Sequence, residues 1–174
     1  MTIRKALPED VSLIHDLACQ IWPSAYGHIL TQEQIDYMLN KMYNEKTLLE
    51  QLQNKIDFVI VYDGTQPVGF AAFGLEKPGT YKLHKIYVLP SQQGKGTGRF
   101  LLDEIEKTIV QRGALGLLLN VNRQNKARFF YEKLGFRVIK EEDIDIGNGF
   151  FMNDYVMEKI LSQESGVRSP SNDS

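Results

Sequence analysis

Ile86-Tyr87-Val88-Leu89-Pro90-Ser91-Gln92-Gln93-Gly94-Lys95-Gly96-Thr97-Gly98, running into Arg99-Phe100-Leu101-Leu102, reads as an apolar strand, a loop with three alternating glycines and the start of an amphipathic helix. Glycine lets the backbone come close to a ligand. The first N–H groups of a helix have no partner inside the helix and sit at its positive dipole end. Together these features point to a site for phosphate groups. The helix continues with Leu101, Leu102, Ile105, Ile109 and Val110 at helical spacing and closes at Arg112-Gly113. Leu115-Gly116-Leu117-Leu118-Leu119-Asn120-Val121 follows as an almost continuous apolar run, the pattern of a strand covered on both faces. Strand, helix and strand make a right-handed crossover between parallel strands. Ligands in such sheets sit beyond the carboxyl ends of the strands, where the glycine loop lies.

Before this unit, Ile3 to Ala6 reads as a first strand and Pro8-Glu9-Asp10 opens a helix whose buried face is Val11, Ile14, Leu17, Ala18 and Ile21. The stretch from Trp22 through Pro23 and Gly27 to His28 ends that helix on the breaker rule. Thr31-Gln32-Glu33-Gln34 is a capping-box pattern for a second helix, with Ile35, Met38, Leu39, Met42 and Tyr43 on its apolar face. Asp57 to Tyr62 and Val68 to Leu75 read as a hairpin, and Tyr81 to Leu89 as the next strand. After the crossover, a helix is expected at roughly 125–134 and a strand to about Lys140. Glu141-Glu142-Asp143 reads as a charged loop, and Phe150 to Ile160 as the last strand. The pattern is α/β, with about seven strands in one mixed sheet and four helices. Residues 1–160 are expected to form one domain, and 161–174 a polar, disordered tail.

The bulk composition narrows the function classes. With 174 residues, 43% hydrophobic and 24% charged, the chain can bury a sizeable core. A net charge of −2 supplies no excess cation for nucleic acid. No apolar run reaches the length of a membrane span, and the amino terminus lacks a signal core, so no membrane partner is expected. Cys19 is the single cysteine and reads as a small packing residue. It allows no disulfide framework and no cysteine metal site, and it suits a reducing cytoplasm. No metal is expected.

Three phosphate-loop chemistries compete for the glycine run. A nucleoside-triphosphate loop needs Gly-x-x-x-x-Gly-Lys-Ser/Thr, but here a glycine directly follows Lys95 and the first glycine is absent at its spacing. A dinucleotide fingerprint needs Gly-x-Gly-x-x-Gly at the first strand–helix junction, whereas these glycines alternate and come late. The third pattern, Gln/Arg-x-x-Gly-x-Gly/Ala, is matched at every fixed position by Gln93-Gly94-Lys95-Gly96-Thr97-Gly98. That pattern is the coenzyme A pyrophosphate loop of GCN5-related N-acetyltransferases (GNAT), which the chain resembles from roughly Thr2 to Ile160. Asn125-Lys126-Ala127-Arg128-Phe129-Phe130-Tyr131-Glu132-Lys133-Leu134-Gly135-Phe136 resembles a second segment of the family, Asn-x-Ala…Tyr-x-x-x-Gly-Phe. The element order also agrees.

The resemblance implies the GNAT fold with splayed parallel central strands, acetyl-CoA as cosubstrate, and direct acetyl transfer to an amine. It implies that Ile86, Tyr87 and Val88 run along the pantetheine arm and the acetyl group, with Val88 offering an N–H to the thioester carbonyl. Gln93, Gly94, Lys95, Gly96, Thr97, Gly98 and Arg99 would cradle the pyrophosphate. Asn125, with Asn122 as a second candidate, would bond the pantetheine arm; a helix cap is the competing role for each. Tyr131 falls where the family has its general acid, with packing against the cofactor as its competing role. The strand position where many members carry a glutamate base is Lys82. His84 lies two residues on, which strand alternation puts on the same face, and its ordinary pKa suits proton work; a packed or solvent-facing histidine is the alternative.

The acceptor is expected to meet Trp22–Leu30 and Glu141–Phe151. Aromatics and carboxylates there would suit a cationic amine such as a polyamine or a lysine side chain, or else form a solvated acidic turn over core aromatics. The partner is thus a small-molecule or peptide amine, and family habit admits a homodimer. The alternative to an enzyme is a non-catalytic acyl-CoA sensor.

Overall fold

The structure is a computed structural model and describes residues 1–161. Strand β1 (Thr2–Lys5) leads through a 3₁₀ turn at Pro8–Asp10 into helix α1 (Val11–Tyr26). Helices α2 (Gln32–Met42) and α3 (Glu45–Gln53) follow, then strands β2 (Asp57–Asp63), β3 (Gln66–Lys77) and β4 (Thr80–Val88). Helix α4 (Thr97–Gln111), strand β5 (Gly116–Asn122), helix α5 (Ala127–Lys133) and strands β6 (Arg137–Gly147) and β7 (Phe150–Ile160) complete the fold. One seven-stranded mixed sheet runs in the order β1-β2-β3-β4-β5-β7-β6, and only β4 and β5 pair in parallel.

Each face of the sheet carries its own core. On one face α4 brings Leu101, Leu102, Ile105 and Ile109 against Ala71, Phe73, Leu83, Leu117 and Leu119. On the other, α1–α3 bring Ile14, Leu17, Ile21, Trp22, Ile35 and Leu48 against Phe58, Ile60, Phe70 and Ala72. The alternation along β3 serves both cores at once.

Three expectations are corrected. The described residues hold five α-helices, not four, because the second apolar stretch breaks at Tyr43-Asn44. Asn44 caps a new helix there, its side chain accepting from the Thr47 N–H at 2.8 Å. Helix α1 runs through Pro23 and ends at Tyr26 with Gly27 as its cap, inside the Trp22–His28 stretch expected to end it. The proline deprives only the carbonyl at exposed Cys19 of its bond, and water can replace that partner. Cys19 is thus a surface residue rather than a packing one.

The third correction concerns the acidic run. Glu141-Glu142-Asp143 lies inside β6, which pairs with β7 through Gly147↔Phe150. Lys140 pairs with Glu142 at 2.8 Å and Arg123 with Asp143 at 2.6 Å, offsetting the repulsion along the strand. The reversal falls at Asn148-Gly149, both at positive φ (56° and 80°), as the two-residue turn of a tight hairpin requires. Leu161 is buried and donates its N–H to the Leu115 carbonyl at 2.9 Å. The rest of the expected tail, 162–174, lies outside the described residues.

Candidate active site

A gap opens in the middle of the sheet. β4 and β5 pair only from Thr80↔Gly116 to Leu83↔Leu119. Beyond that, β4 stays on β3 and β5 stays on β7, up to Asn122↔Asp154. The Leu89 N–H donates to the Val68 carbonyl at 2.8 Å, so the hydrogen-bonded pairs with β3 are those of Leu89, Tyr87 and Lys85. The backbone groups of Ile86 and Val88 therefore point into the gap.

The glycine loop closes the carboxyl end of this gap. Gly94 and Gly96 take positive φ (79° and 74°), which carries the chain from a 3₁₀ turn at Pro90–Gln92 into α4. The N–H groups of Gln93 and Lys95 are engaged by the carbonyls of Pro90 and Gln92. Those of Gly94, Gly96, Thr97, Gly98 and Arg99 have no partner among the described residues. A Cβ at Gly98 would meet only Phe130 Cζ, at 3.7 Å, so the protein itself leaves that space open. A row of free N–H groups at a helix N-terminus, with room above it, fits a diphosphate. Lys95 and Arg99 stand exposed beside it, and Arg99 also approaches Asp103 at 3.9 Å. Thr97 contributes only backbone: its side chain is buried and donates to Gln92 Oε1 at 3.0 Å. Buried Gln92 in turn approaches Asp63 at 3.4 Å, tying the loop to the β2–β3 turn.

Across the gap, Asn122 and Asn125 each accept a local backbone N–H through Oδ1, from Gln124 and Ala127, both at 2.9 Å. These are bonds to the residue two positions on, as in Asx turns, and neither is the helix cap, since Lys126 occupies that position without a side-chain bond; each amide Nδ2 has no partner among the described residues. Tyr131, on α5, is buried between the rings of Phe130 (5.4 Å) and Phe136 (5.8 Å). Its hydroxyl has no partner among the described residues, and burial pushes its pKa up to about 12, so the phenol stays protonated.

The opposite face of the gap is a cavity of about 120 Å³ between β4, β5, β7, α1 and α2. Trp22, Tyr26, Tyr43 and Tyr87 wall one side, and Phe151 and Met152 the other. The Tyr26 and Tyr87 hydroxyls bond each other at 2.8 Å, so Tyr87 lines this cavity with its side chain and engages β3 with its backbone. Gln34, instead of closing the capping box, donates to the Phe151 carbonyl at 3.0 Å, and Tyr37 donates to the Ile146 carbonyl at 2.7 Å. These bonds fasten the β6–β7 hairpin over the cavity. The carboxylates expected to line it do not: Glu142 and Asp143 face Lys140 and Arg123, and Asp145 accepts from the Gly147 N–H at 2.8 Å. His28 is an exposed turn residue outside it.

The ionisable groups lining the cavity are His84, Lys85 and Asp154, besides the phenols. A bulge between Ala72 and Phe73 leaves His84 unpaired and resets the strand, so His84 and Lys85 open on the same side. Partial desolvation, then the Lys82 and Lys85 charges, lower the His84 pKa and keep its imidazole neutral. Burial alone lowers Lys85 to about 8. Asp154 accepts from Asn120 at 3.2 Å, and burial raises its pKa.

A sequence model of the acetyltransferase (GNAT) domain matches residues 28–159. The chain belongs to the GNAT acetyltransferase family. A spermidine N(1)-acetyltransferase of Thermoplasma acidophilum is 31% identical over 163 residues, spanning 90% of this chain and 95% of that one. The solved structure of PaiA N-acetyltransferase from the same organism, in complex with coenzyme A, superposes with a TM-score of 0.77 at 30% identity, covering 91% of this chain and 98% of that one. A GCN5-related N-acetyltransferase from Rhodopseudomonas palustris gives a TM-score of 0.79 at 26% identity, covering 92% and 95%. The splayed β4–β5 pair is thus set in a GNAT fold. Sequence reasoning missed three residues of this GNAT cavity and loop: Lys85, Asp154 and Gln92. A carboxylate in mid-strand, with Tyr155, Val156 and Met157 directly after it, was a usable signal for Asp154; Lys85 had none, because the bulge is not visible in the sequence.

Proposed function

We propose that this GNAT protein transfers acetyl from acetyl-CoA directly to a primary amine on a small molecule or peptide. The observation that carries the proposal is the gap itself. Free backbone groups of β4 and free N–H groups of α4 line one continuous path, and a cavity holding a neutral imidazole meets that path from the opposite face. The coenzyme A held by the Thermoplasma relative supports the same cosubstrate here.

In this scheme the diphosphate lies on the N–H groups of Gly94, Gly96, Thr97, Gly98 and Arg99. The pantetheine arm runs along Ile86 and Val88 and takes bonds from Nδ2 of Asn122 and Asn125. The Val88 N–H polarises the thioester carbonyl where charge develops. The acceptor ammonium gives its proton to His84 or to solvent, and the neutral nitrogen attacks. A C–N bond forms, the C–S bond breaks, and the newly bonded nitrogen releases its second proton to solvent. Tyr131 gives its proton to the leaving thiolate and regains one from solvent. Neutral His84 takes the place of the strand glutamate, whose position Lys82 occupies. With acetyl-CoA as the donor and Cys19 as a free thiol, the cytoplasm is the matching compartment.

The experiment is thiol release from acetyl-CoA on adding primary amines. Tyr131→Phe is expected to lower kcat by roughly 10²–10⁴-fold, the usual range for a general acid, with acetyl-CoA affinity unchanged. An unchanged kcat would remove Tyr131 from the chemistry.

A further inference from the structure

We propose that the acceptor carries a carboxylate as well as its amine, making it an amino-acid-like zwitterion, and that Lys85 receives the carboxylate. The inference rests on the acetyl-transfer reading and names the substrate class for the same cavity. Lys85 is 8% exposed, lines the cavity, and holds its ammonium 4.7 Å from the centre of the Tyr43 ring. It forms no hydrogen bond or ion pair among the described residues. An ammonium has three donors, and an aromatic face satisfies only part of its demand. A buried cation with so little compensation calls for an anion.

The protein does not provide that anion. Glu142 and Asp143 are engaged by Lys140 and Arg123. Asp154 accepts from Asn120 and sits on β7, with β5 between it and β4. Neutral His84 and the nearby Lys82 add no negative charge. The cavity therefore presents one cation and one carboxylate on separate strands, each unpaired with the other. A zwitterion fits both: its ammonium faces Asp154 and His84, and its carboxylate faces Lys85. A polyamine would have to place a second cation in a cavity of about 120 Å³ that already holds Lys85. Lys85 thus acts as a specificity determinant rather than a catalytic residue.

The test measures kcat/KM for L-alanine, 4-aminobutyrate and L-glutamate against L-alaninamide, 4-aminobutyramide and spermidine. Carboxylated amines are expected to lead their amides by roughly 10–100-fold, the discrimination of a charged contact left unmade in the amide. Lys85→Met should abolish that ratio by raising KM for the carboxylated amines alone, and Lys85→Arg should keep most of it. Acetyl-CoA affinity of Lys85→Met, expected unchanged, checks that the variant folds. Equal or better turnover of spermidine or the amides by the wild type, or a preference that survives Lys85→Met, would overturn the proposal. Failure of every amine to release thiol would instead count against acetyl transfer. In that event, calorimetric titration of the same carboxylated amines into CoA-loaded protein decides the Lys85 question. Binding lost in Lys85→Met upholds it, and binding absent or insensitive to that substitution overturns it.

Discussion

His84 and Lys85 are neighbours in the chain and in the cavity, which a regular strand would forbid. The bulge opposite Ala72-Phe73 is what brings them together. Alternation alone pairs His84 with Lys82 and turns Lys85 to the other face, so the sequence does not mark Lys85 as a cavity residue. Such a bulge depends on the twist and contacts of a whole sheet, and no residue type in Tyr81–Val88 announces it. The depressed His84 pKa has a kinetic consequence. A base works when neutral, so kcat/KM is expected to fall only as pH drops through a value below 6.5, the ordinary histidine range. His84→Gln should remove that acidic limb and lower kcat/KM near neutrality by about 10²-fold or more. A limb that persists in the variant would assign the proton to another group, with Asp154 the next to test.

At the level of elements, the loop from Gln93 to Arg99 was legible because its demands are local. Glycines at positive φ and a helix start leave their mark in seven consecutive residues. Gln92 and Asp63, which anchor that loop from beneath, are far apart in sequence and were not legible. The β6–β7 hairpin was misread for the opposite reason. Its charges suggested a loop, although Asn148-Gly149 beyond them is a strong local turn signal and marks the true reversal. For the loop, Gly96→Asp is expected to weaken acetyl-CoA binding by at least ~100-fold. A carboxylate would stand in the N–H cradle, and an ordinary side chain would be strained at a φ of 74°. Equilibrium binding measures this, and undiminished affinity would displace the diphosphate from the loop.

For the whole molecule, the two cores are joined through the sheet. β3 places Phe70 and Ala72 in one and Ala71 and Phe73 in the other, so neither can open alone without stripping a face of the same strand. Trp22, the single tryptophan, sits in the α1–α3 core and reports on it. Leu101→Ala, made in the α4 core, should destabilise the protein by about 2–5 kcal/mol. The loss should appear in full in the urea midpoint of Trp22 fluorescence, coincident with far-UV circular dichroism. Separate transitions would mean that the two faces fold as separate units. The succession of elements along the chain and the crossover were readable from periodicity and run length; the place of β7 between β5 and β6 was not. The break between α2 and α3 has a local mark, the polar run Asn44-Glu45-Lys46-Thr47 between Tyr43 and Leu48, with Asn44 as the cap that starts the new helix.

The most direct measurement is release of coenzyme A thiol from acetyl-CoA, with the wild type and Tyr131→Phe, with and without a panel of primary amines. Acetyl transfer at the β4–β5 gap predicts release that depends on the amine, yields one acetylated amine per thiol, and collapses in Tyr131→Phe without loss of acetyl-CoA affinity. Tight acetyl-CoA binding with no amine-dependent thiol release would contradict it and favour an acyl-CoA sensor.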